Sequence, residues 1–311
     1  MRVVIAGGAG FLGSHLVDLH VARGDAIVVL DDFTTGTREN LAHLQHEASV
    51  EVIAADVSQD VPVSGAVDRV YNLASPASPP AYLERPLETL AVGSEGTRRL
   101  LELADANGAR FVMASTSEIY GDPLVHPQVE DYRGNVDPIG PRGVYDEAKR
   151  FSEAITMAFH TKLGTDIGIA RIFNTYGPRL AAGDGRVVSN FIVQALRGEP
   201  LTVYGDGQQT RSLCFVADLV GGLAALGDAT VTGPINLGNP DERTVLEIAR
   251  TILDLTGSSS TVEHLPLPTD DPTRRCPDIS RAEEQLGWRP AVATDDGLRV
   301  TIDHFAEQLG R

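Results

Sequence analysis

Short apolar runs alternate with longer helical patterns through the first half of the chain. Residues 3–6 contain no polar position, which is typical of a strand buried on both faces of a parallel sheet. Residues 10–23 carry apolar side chains at helical spacing, and Gly24 follows as a stop signal. Nearer the C-terminus, Ser280 and Glu283 have the spacing of a helix capping box. The pattern predicts strands at residues 3–6, 26–30, 50–54, 69–73, 110–114 and 167–173, and helices at residues 10–23, 87–106 and 144–163.

This alternation of strands and helices is typical of βαβ units, in which helices join successive parallel strands. It predicts an α/β fold with a Rossmann-type doubly wound parallel sheet. Beyond Asn174, glycine and proline become frequent and the regular alternation fades. We therefore expect a first domain at residues 1–174 and a smaller C-terminal α/β domain at residues 175–311. Part of this second segment is expected to return to the first domain.

The composition is that of an ordinary folded globular chain, with 42% apolar and 22% charged residues among 311. The 26 Lys and Arg residues against 43 Asp and Glu residues give a net charge of −17. So acidic a surface repels phosphate backbones and lipid headgroups, which argues against nucleic-acid or membrane binding. A small anionic ligand is still compatible with this charge, because a few arginines inside a cleft can reverse the local potential. Every apolar stretch is too short to cross a bilayer.

The two cysteines, Cys214 and Cys276, have no metal-ligand spacing and cannot build a disulfide framework. We expect no metal site, and a reducing cytoplasm as the location of the protein. Residues 1–13 are apolar enough to resemble a leader peptide. Their ordered glycines, and the lack of a small-residue cleavage pattern after them, favour a structural role instead.

A glycine-rich loop follows the first predicted strand and begins the first predicted helix. Gly7, Gly10 and Gly13 form a G-x-x-G-x-x-G pattern, which allows a tight turn and a close approach of backbone amides to a pyrophosphate. Asp31 and Asp32 end the second strand, 18 residues after Gly13. A carboxylate there accepts the ribose hydroxyls and repels a 2′-phosphate, so the pattern predicts NAD rather than NADP. An ordinary surface Asp pair is the alternative interpretation.

Tyr145 and Lys149 are four residues apart on a predicted helix and therefore project from the same face. A buried ammonium beside a phenol stabilises the phenolate and makes the tyrosine a usable base near neutral pH. The chain has only two lysines, Lys149 and Lys162, so a chance occurrence of this spacing is a weak explanation. We expect this pair to transfer a proton.

Residues 115–118, Ser-Thr-Ser-Glu, follow the fifth predicted strand at the sheet edge where ligands of open α/β sheets bind. The Thr116 hydroxyl is a candidate to share a substrate proton with Tyr145, and Glu118 is a candidate acid or base. A polar turn capped by Glu118 is the alternative interpretation.

The glycine loop, the Tyr145–Lys149 pair and the Ser/Thr strand end together resemble the extended short-chain dehydrogenase/reductase superfamily. Later segments resemble its nucleotide-sugar-modifying members: Asn174–Arg179, Tyr204–Gly207 with Thr210–Ser212, and Leu286–Pro290. Within that group, the UDP-glucuronate decarboxylases (UDP-xylose synthases) are the most similar. The segments that carry this similarity are residues 77–79, 115–123, 135–142, 145–150, 184–207, 270–272 and 277–278.

The resemblance implies that Tyr145 and Thr116 take the C4 hydroxyl proton while hydride passes to tightly bound NAD. The resulting 4-keto acid loses CO₂, and the returning hydride gives UDP-xylose. The implied catalytic residues are Tyr145, Lys149, Thr116 and Glu118. The implied cofactor-binding residues are Gly7, Gly10, Phe11, Leu12, Gly13, Asp31, Asp32, Thr35, Gly36, Asp56, Val57, Leu73, Ala74, Ser75, Ser115, Tyr145, Lys149 and Ile172.

The resemblance also implies a set of groups that bind the nucleotide sugar. They are Thr116, Glu118, Tyr145, Asn174, Val203, Tyr204, Arg211 and Arg275. Arg211 and Arg275 are expected near the diphosphate, with Arg275 or the adjacent Arg274 also near the glucuronate carboxylate. For the arginines, surface salt bridges are the alternative. Homodimers are implied too, with the helices at residues 87–106 and 144–163 pairing into a four-helix bundle.

Two positions bear on alternatives within the superfamily. Ser117 stands where related 4,6-dehydratases carry an aspartic acid, and Glu118 is present where related 4-epimerases usually lack a glutamate. Gly93 departs from the family pattern, which usually has asparagine there. A UDP-sugar 4-epimerase remains the nearest alternative, and a catalytically idle NAD-binding sensor is an alternative of another class.

Overall fold

The computed structural model describes residues 1–267 and 273–311, and its central feature is a seven-stranded sheet. The strands in chain order are β1 (Arg2–Ala6), β2 (Ala26–Asp31), β3 (Val50–Ala54), β4 (Arg69–Asn72), β5 (Arg110–Thr116), β6 (Ile167–Ile172), β7 (Thr175–Tyr176), β8 (Leu201–Tyr204), β9 (Thr210–Ser212), β10 (Cys214–Phe215), β11 (Ile235–Leu237), β12 (Glu242–Thr244) and β13 (Val262–Leu265). Residues 270–272, part of the resemblance above, lie outside the described residues.

The helices account for most of the remaining regular structure. They are α1 (Phe11–Ala22), α2 (Pro79–Glu84), α3 (Pro86–Ala91), α4 (Thr97–Asn107), α5 (Gly143–Leu163), α6 (Val187–Arg197), α7 (Val216–Asp228), α8 (Val245–Thr256), α9 (Ser280–Leu286) and α10 (Thr294–Gln308). Two 3₁₀ segments occur at Arg38–Leu44 and Ser117–Tyr120. A π-helical segment, Val92–Gly96, joins α3 to α4, so the helix predicted at residues 87–106 is found as a helical path with altered winding in its middle.

The strand order of the large sheet is β11-β6-β5-β4-β1-β2-β3, and all neighbouring strands are parallel. This is the doubly wound Rossmann arrangement, and the predicted fold class is confirmed. Five of the six predicted strands are buried, as their apolar runs require. The exception is β3, which is an edge strand with exposed positions although its sequence predicts a buried strand like the others.

Two apolar layers enclose the large sheet. On one face, α1 and α7 pack against it, with Leu16, Leu219 and Leu223 fully buried. On the other face, Leu100 of α4 packs with Phe111 of β5. The sheet is therefore fixed from both sides, and its carboxyl edge presents a rigid rim to ligands.

A second core lies in the C-terminal part of the chain. Phe191 of α6, Ile248 of α8 and Phe305 of α10 are buried together beside the parallel pair β8–β13. Strand β11 leaves this region and pairs with β6 at the edge of the large sheet. None of the helices in residues 1–267 and 273–311 is both long enough and apolar enough to cross a membrane.

The predicted capping box at Ser280 is wrong, and another one forms elsewhere. Ser280 is already the first residue of α9, whose N-cap is Ile279, and no side chain caps that helix. The N-cap of α8 is Thr244, whose side chain accepts a hydrogen bond from the Glu247 backbone while the Glu247 carboxylate accepts one in return. Thr244 has the extended backbone that an N-cap requires, whereas Ile279 does not.

Candidate active site

The glycine loop between β1 and α1 has no room for side chains. A Cβ added at Gly7 would lie 2.8 Å from the backbone nitrogen of Ala74, and Gly7 has a φ of +77°. A Cβ added at Gly13 would lie 2.0 Å from the carbonyl oxygen of Gly7. Backbone therefore crosses backbone at this turn, and the first amides of α1 are left open to the cleft, which is how a helix N-terminus binds a pyrophosphate.

The carboxylate of Asp31 is held at the end of β2 by two backbone amides. Its Oδ2 accepts from Ala9 at 2.9 Å and its Oδ1 accepts from Phe33 at 2.9 Å. Burial raises the pKa of Asp31 above its ordinary value, although both amides oppose that change. Gly36 packs against this carboxylate, since a Cβ there would lie 2.9 Å from Oδ1. Gly36 thus makes space for Asp31.

A single cleft of about 1070 Å³ runs from this loop along the carboxyl edge of the sheet into the C-terminal region. Among the cofactor-binding candidates, those that line it are Gly7, Gly10, Phe11, Leu12, Gly13, Asp31, Asp32, Thr35, Asp56, Val57, Leu73, Ala74, Ser75, Ser115, Tyr145, Lys149 and Ile172. Ser115 also donates its hydroxyl proton to Glu153 at 2.5 Å. The cleft is large and elongated enough for a dinucleotide and a second ligand side by side.

Tyr145 and Lys149 lie in the first turns of α5 and are buried where the cleft meets β5. Lys149 Nζ donates to the Ala114 carbonyl at 2.9 Å and lies 5.9 Å from the centre of the Tyr145 ring. The Thr116 side chain acts on the Tyr145 phenol and opposes part of the effect of burial on its pKa. The Tyr82 ring of α2 stacks on that of Tyr145, with centroids 5.2 Å apart and planes 8° from parallel.

The expected depression of the Tyr145 pKa is not found in the protein alone. Burial raises the pKa of Tyr145, and Arg186 and Thr116 only partly oppose it. Burial also lowers the pKa of Lys149 to about 8. The Lys149 ammonium does not lower the pKa of Tyr145, because it is directed at the Ala114 carbonyl rather than at the phenol. A positive charge placed beside the phenol would oppose the effect of burial.

Glu118 lies in the 3₁₀ segment after β5 and faces two arginines. Its carboxylate accepts a hydrogen bond from Arg142, and Arg275 Nη2 lies 3.6 Å away. Burial alone would raise the pKa of Glu118, but Arg275, Arg142 and Arg211 outweigh it and hold the pKa at about 2. Glu118 is therefore an ionised carboxylate in an arginine-rich end of the cleft.

Arg275 is fully buried, with 1% of its surface exposed, and it is held by backbone carbonyls as well as by Glu118. Its guanidinium donates to Ser117 O and, at 3.2 Å, to Gly121 O. So rigid a cation is a specific binding group for an anion in the cleft. Of the two adjacent arginines, Arg275 lines the cleft and Arg274 is exposed.

Among the predicted substrate-binding residues, Asn174, Tyr204 and Arg211 line the far end of the cleft. Val203 does not line it. Its side chain is fully buried in the C-terminal core, because successive residues of β8 face opposite sides. The whole residue is enclosed, with its backbone paired to His264 of β13.

Sequence reasoning missed several residues of the site. Arg142, Arg186 and Tyr82 line the cleft, and Asp146 is buried beside them on α5. Arg142 and Asp146 are four residues apart, on either side of Tyr145, and this helical spacing is the signal in the sequence that could have found them. No local pattern pointed to Arg186. The Tyr82 ring also packs on that of Tyr145.

The residues present fit NAD. The glycine turn leaves space that a Cβ would fill, and Asp31 stands at the end of β2 where a ribose would lie. Within the described residues, no group of His, Cys, Asp or Glu could hold a metal ion.

The fold and this site define a class: a Rossmann-fold enzyme with a Tyr–Lys pair beside a dinucleotide cleft. The model of the NAD dependent epimerase/dehydratase family matches residues 3–238, and the chain belongs to that family.

The comparison with curated proteins is more specific. UDP-glucuronic acid decarboxylase 4 of Arabidopsis thaliana is 52% identical over 309 residues, which are 99% of this chain and 69% of that protein. UDP-glucuronic acid decarboxylase 1 of Danio rerio is 50% identical over 308 residues, 99% of this chain and 73% of the relative.

Solved structures agree on the fold. The dTDP-glucose 4,6-dehydratase of Streptomyces venezuelae with NAD bound is 28% identical and superposes with a TM-score of 0.90, covering 100% of this chain and 98% of that one. A UDP-glucuronic acid 4-epimerase of Bacillus cereus, in complex with NAD and a fluorinated UDP-sugar, is 27% identical with a TM-score of 0.87, covering 99% and 100%.

Proposed function

We propose that this protein is an NAD-dependent UDP-glucuronate decarboxylase that forms UDP-xylose through a 4-keto intermediate. The observation that carries the proposal is the similarity to decarboxylases over nearly the whole chain, at about half of all positions. The epimerase and dehydratase structures are more distant. The site agrees, because it joins a Tyr–Lys pair to an arginine-rich pocket suited to an anionic sugar.

The first step needs a base at the C4 hydroxyl of the sugar. Tyr145 takes that role, with the Thr116 hydroxyl sharing the proton. When bound, NAD⁺ supplies the hydride acceptor and a positive charge beside the phenol. The stacked Tyr82 ring fixes the plane of Tyr145, so the phenol oxygen stays at the mouth of the sugar site.

The second step is the loss of CO₂. With a carbonyl at C4, the sugar is a β-keto acid, and the electron pair of the C5–C6 bond spreads onto the C4 oxygen as CO₂ leaves. Thr116 and Tyr145 stabilise that oxygen by hydrogen bonding. A proton then reaches C5, and the hydride returns to C4.

The arginines bind the substrate. Arg211 and Arg275 both line the cleft, and we assign them to the diphosphate; Arg275 also lies 3.6 Å from Glu118, where we place the sugar. A second carboxylate entering this pocket competes with Glu118 for the same cations. Binding therefore discriminates in favour of a sugar acid over a neutral hexose.

The test is incubation with UDP-glucuronate followed by mass analysis of the product. We expect the product to be lighter by one CO₂. An unchanged mass with altered stereochemistry would indicate the 4-epimerase, and retained NAD binding without turnover would indicate the idle sensor.

We also propose that the protein forms homodimers through α3, α4 and α5. Leu87 and Leu90 of α3 and Phe151 of α5 are exposed apolar side chains, with Leu87 76% and Phe151 50% exposed. Pairing two copies would bury them in a four-helix bundle.

Two further proposals concern the division of the chain into domains at residue 174 and the location of the protein in a reducing cytoplasm. The location is supported by the buried free thiols of Cys214 and Cys276.

A further inference from the structure

Asp146 is a buried carboxyl group that the mechanism above does not use. It lies one residue after Tyr145 on α5 and is 5% exposed. Its Oδ1 is buried and has no hydrogen-bond partner. An ionised carboxylate oxygen left without a donor is costly, whereas a protonated carboxyl group tolerates such a place.

The groups that face Asp146 come from four parts of the chain. Those that interact with it electrostatically are Tyr145 and Glu147 on α5, Arg142 at the N-cap of α5, Tyr82 of α2, Glu118 after β5, and Arg275. Burial, followed by the charge of Glu118, raises the pKa of Asp146 to about 7, while Arg142 and Arg275 oppose the rise. Two carboxyl groups thus share one pair of arginines, and Glu118 takes the direct contacts.

Proton accounting shows why a second acid matters, given the proposed decarboxylation. Each turnover converts a carboxylate into CO₂ and a C5–H bond, so one proton is consumed. Tyr145 returns its proton to the C4 oxygen and is not free to supply another. Glu118 is ionised in the resting site and has no proton to give.

We propose that Asp146 is the proton reserve for C5, acting through Glu118, which lines the cleft. The carboxyl proton of Asp146 passes to the Glu118 carboxylate, and Glu118 gives a proton to C5. The electron pair left by CO₂ becomes the C5–H bond. Asp146 then regains a proton from solvent. Asp146 is a positioning residue in this scheme, because it acts through Glu118.

Substrate binding favours this transfer. A sugar carboxylate placed near Arg275 and Arg142 takes over part of the positive charge that keeps Glu118 ionised. The pKa of Glu118 then rises towards its ordinary value, and its affinity for a proton approaches that of Asp146. The relay thus operates only with an acidic sugar in the site.

The test compares Asp146→Asn with the wild-type enzyme and with Glu147→Gln. Asparagine has the shape of a neutral aspartic acid but holds no transferable proton. Glu147 is the adjacent carboxylate, is partly exposed and pairs with Arg150; its substitution removes the weakest of the charges acting on Asp146 and leaves the proposed proton donor in place, which makes it the control for a change of charge alone. We expect kcat of Asp146→Asn to fall by about 10²-fold, the lower end of acid–base contributions, with KM unchanged.

The pH profile separates a proton reserve from a structural role. The donor form of Asp146 is lost as the pH rises through about 7, so wild-type kcat should decline from there. The kcat of Asp146→Asn should lack this decline near pH 7 and should fall only where Lys149, with a pKa of about 8, loses its proton. Absorbance of reduced nicotinamide should accumulate in the variant, because the hydride cannot return before C5 is protonated.

Three results would overturn the inference. They are an unchanged kcat and pH profile in Asp146→Asn, a change in KM alone, or an equal loss in Glu147→Gln. If circular dichroism shows that Asp146→Asn folds poorly, Asp146→Glu is the deciding variant. It keeps a carboxyl group and should therefore keep the decline of kcat near pH 7. A wild-type enzyme that releases no CO₂ would refute the proposed function instead, which is a separate outcome.

Discussion

At the scale of single residues, Tyr145 and Lys149 show how burial opposes the charges that the chemistry needs. Burial raises the pKa of Tyr145 and lowers that of Lys149 to about 8, so both resting side chains are shifted towards their neutral forms. A positive charge brought near the phenol by a bound ligand acts against this shift and favours the phenolate. Bound cofactor is therefore expected to contribute to activating the base.

Tyr145→Phe removes the hydroxyl and keeps the ring that stacks on Tyr82. We expect turnover to fall by about 10²–10⁴-fold, the usual contribution of an acid–base group, while NAD stays bound. Product formation and nicotinamide content per chain are the two measurements. Tyr132→Phe, outside the cleft, is the control, and near-normal activity of Tyr145→Phe would exclude this residue as the base.

The candidate site was predictable from sequence only where its residues are close in the chain. The glycine loop and the Tyr145–Lys149 pair are local, since one turn and one helix face determine them. The charged cluster is different, because Glu118, Arg142 and Arg275 meet through folding across more than 150 positions. Which of two adjacent arginines reaches Glu118 depends on tertiary packing, and no spacing rule contains that information.

At the scale of elements, the sequence predicted the long helices and strands of the first half to within two or three residues. Their apolar periodicity is strong because each packs against the sheet. The strands β7, β9, β10 and β12 have two or three residues each, too few to show any period. The capping box was misplaced for another reason: its residue pattern occurs both at Ser280 and at Thr244, but the extended backbone it needs occurs only at Thr244.

The π-helical segment Val92–Gly96 packs tightly on the helix that carries the catalytic pair. A Cβ added at Gly93 would lie 2.8 Å from the Cβ of Ala148, which precedes Lys149. The Gly93 carbonyl also accepts a hydrogen bond from Ser152 at 2.7 Å. The glycine at this departure from the family pattern thus allows a close approach of two backbones.

Gly93→Ala should push the π-helical segment away from α5 and disturb Lys149. We expect a loss of about 1–3 kcal/mol in the free energy of unfolding, as for other overpacked sites, together with a lower kcat. Denaturant unfolding and steady-state kinetics measure the two effects. Glu95→Ala, an exposed change in the same segment, should leave kcat unchanged. A fully stable and active Gly93→Ala protein would contradict the tight contact.

At the scale of the whole molecule, the proposed dimer depends on apolar side chains that a monomer exposes. Phe151→Glu places a charge in the proposed interface, so we expect dimers to dissociate into monomers. Light scattering with size-exclusion chromatography measures the mass. Leu124→Glu is the control, because Leu124 is 81% exposed and lies outside α3, α4 and α5. Wild-type protein that elutes as a monomer would refute the interface.

Strand β11 has a consequence for protein engineering. It supplies the outermost position of the large sheet from a point deep in the second half of the sequence, and Asn236 within it bonds to Tyr120, Gln128 and Asp278. If the part of the chain after residue 174 were replaced by that of a relative, the edge strand of the large sheet would therefore be exchanged together with the pocket. A chimera of two relatives needs two further junctions, one before and one after β11, so that this strand stays with the sheet it completes.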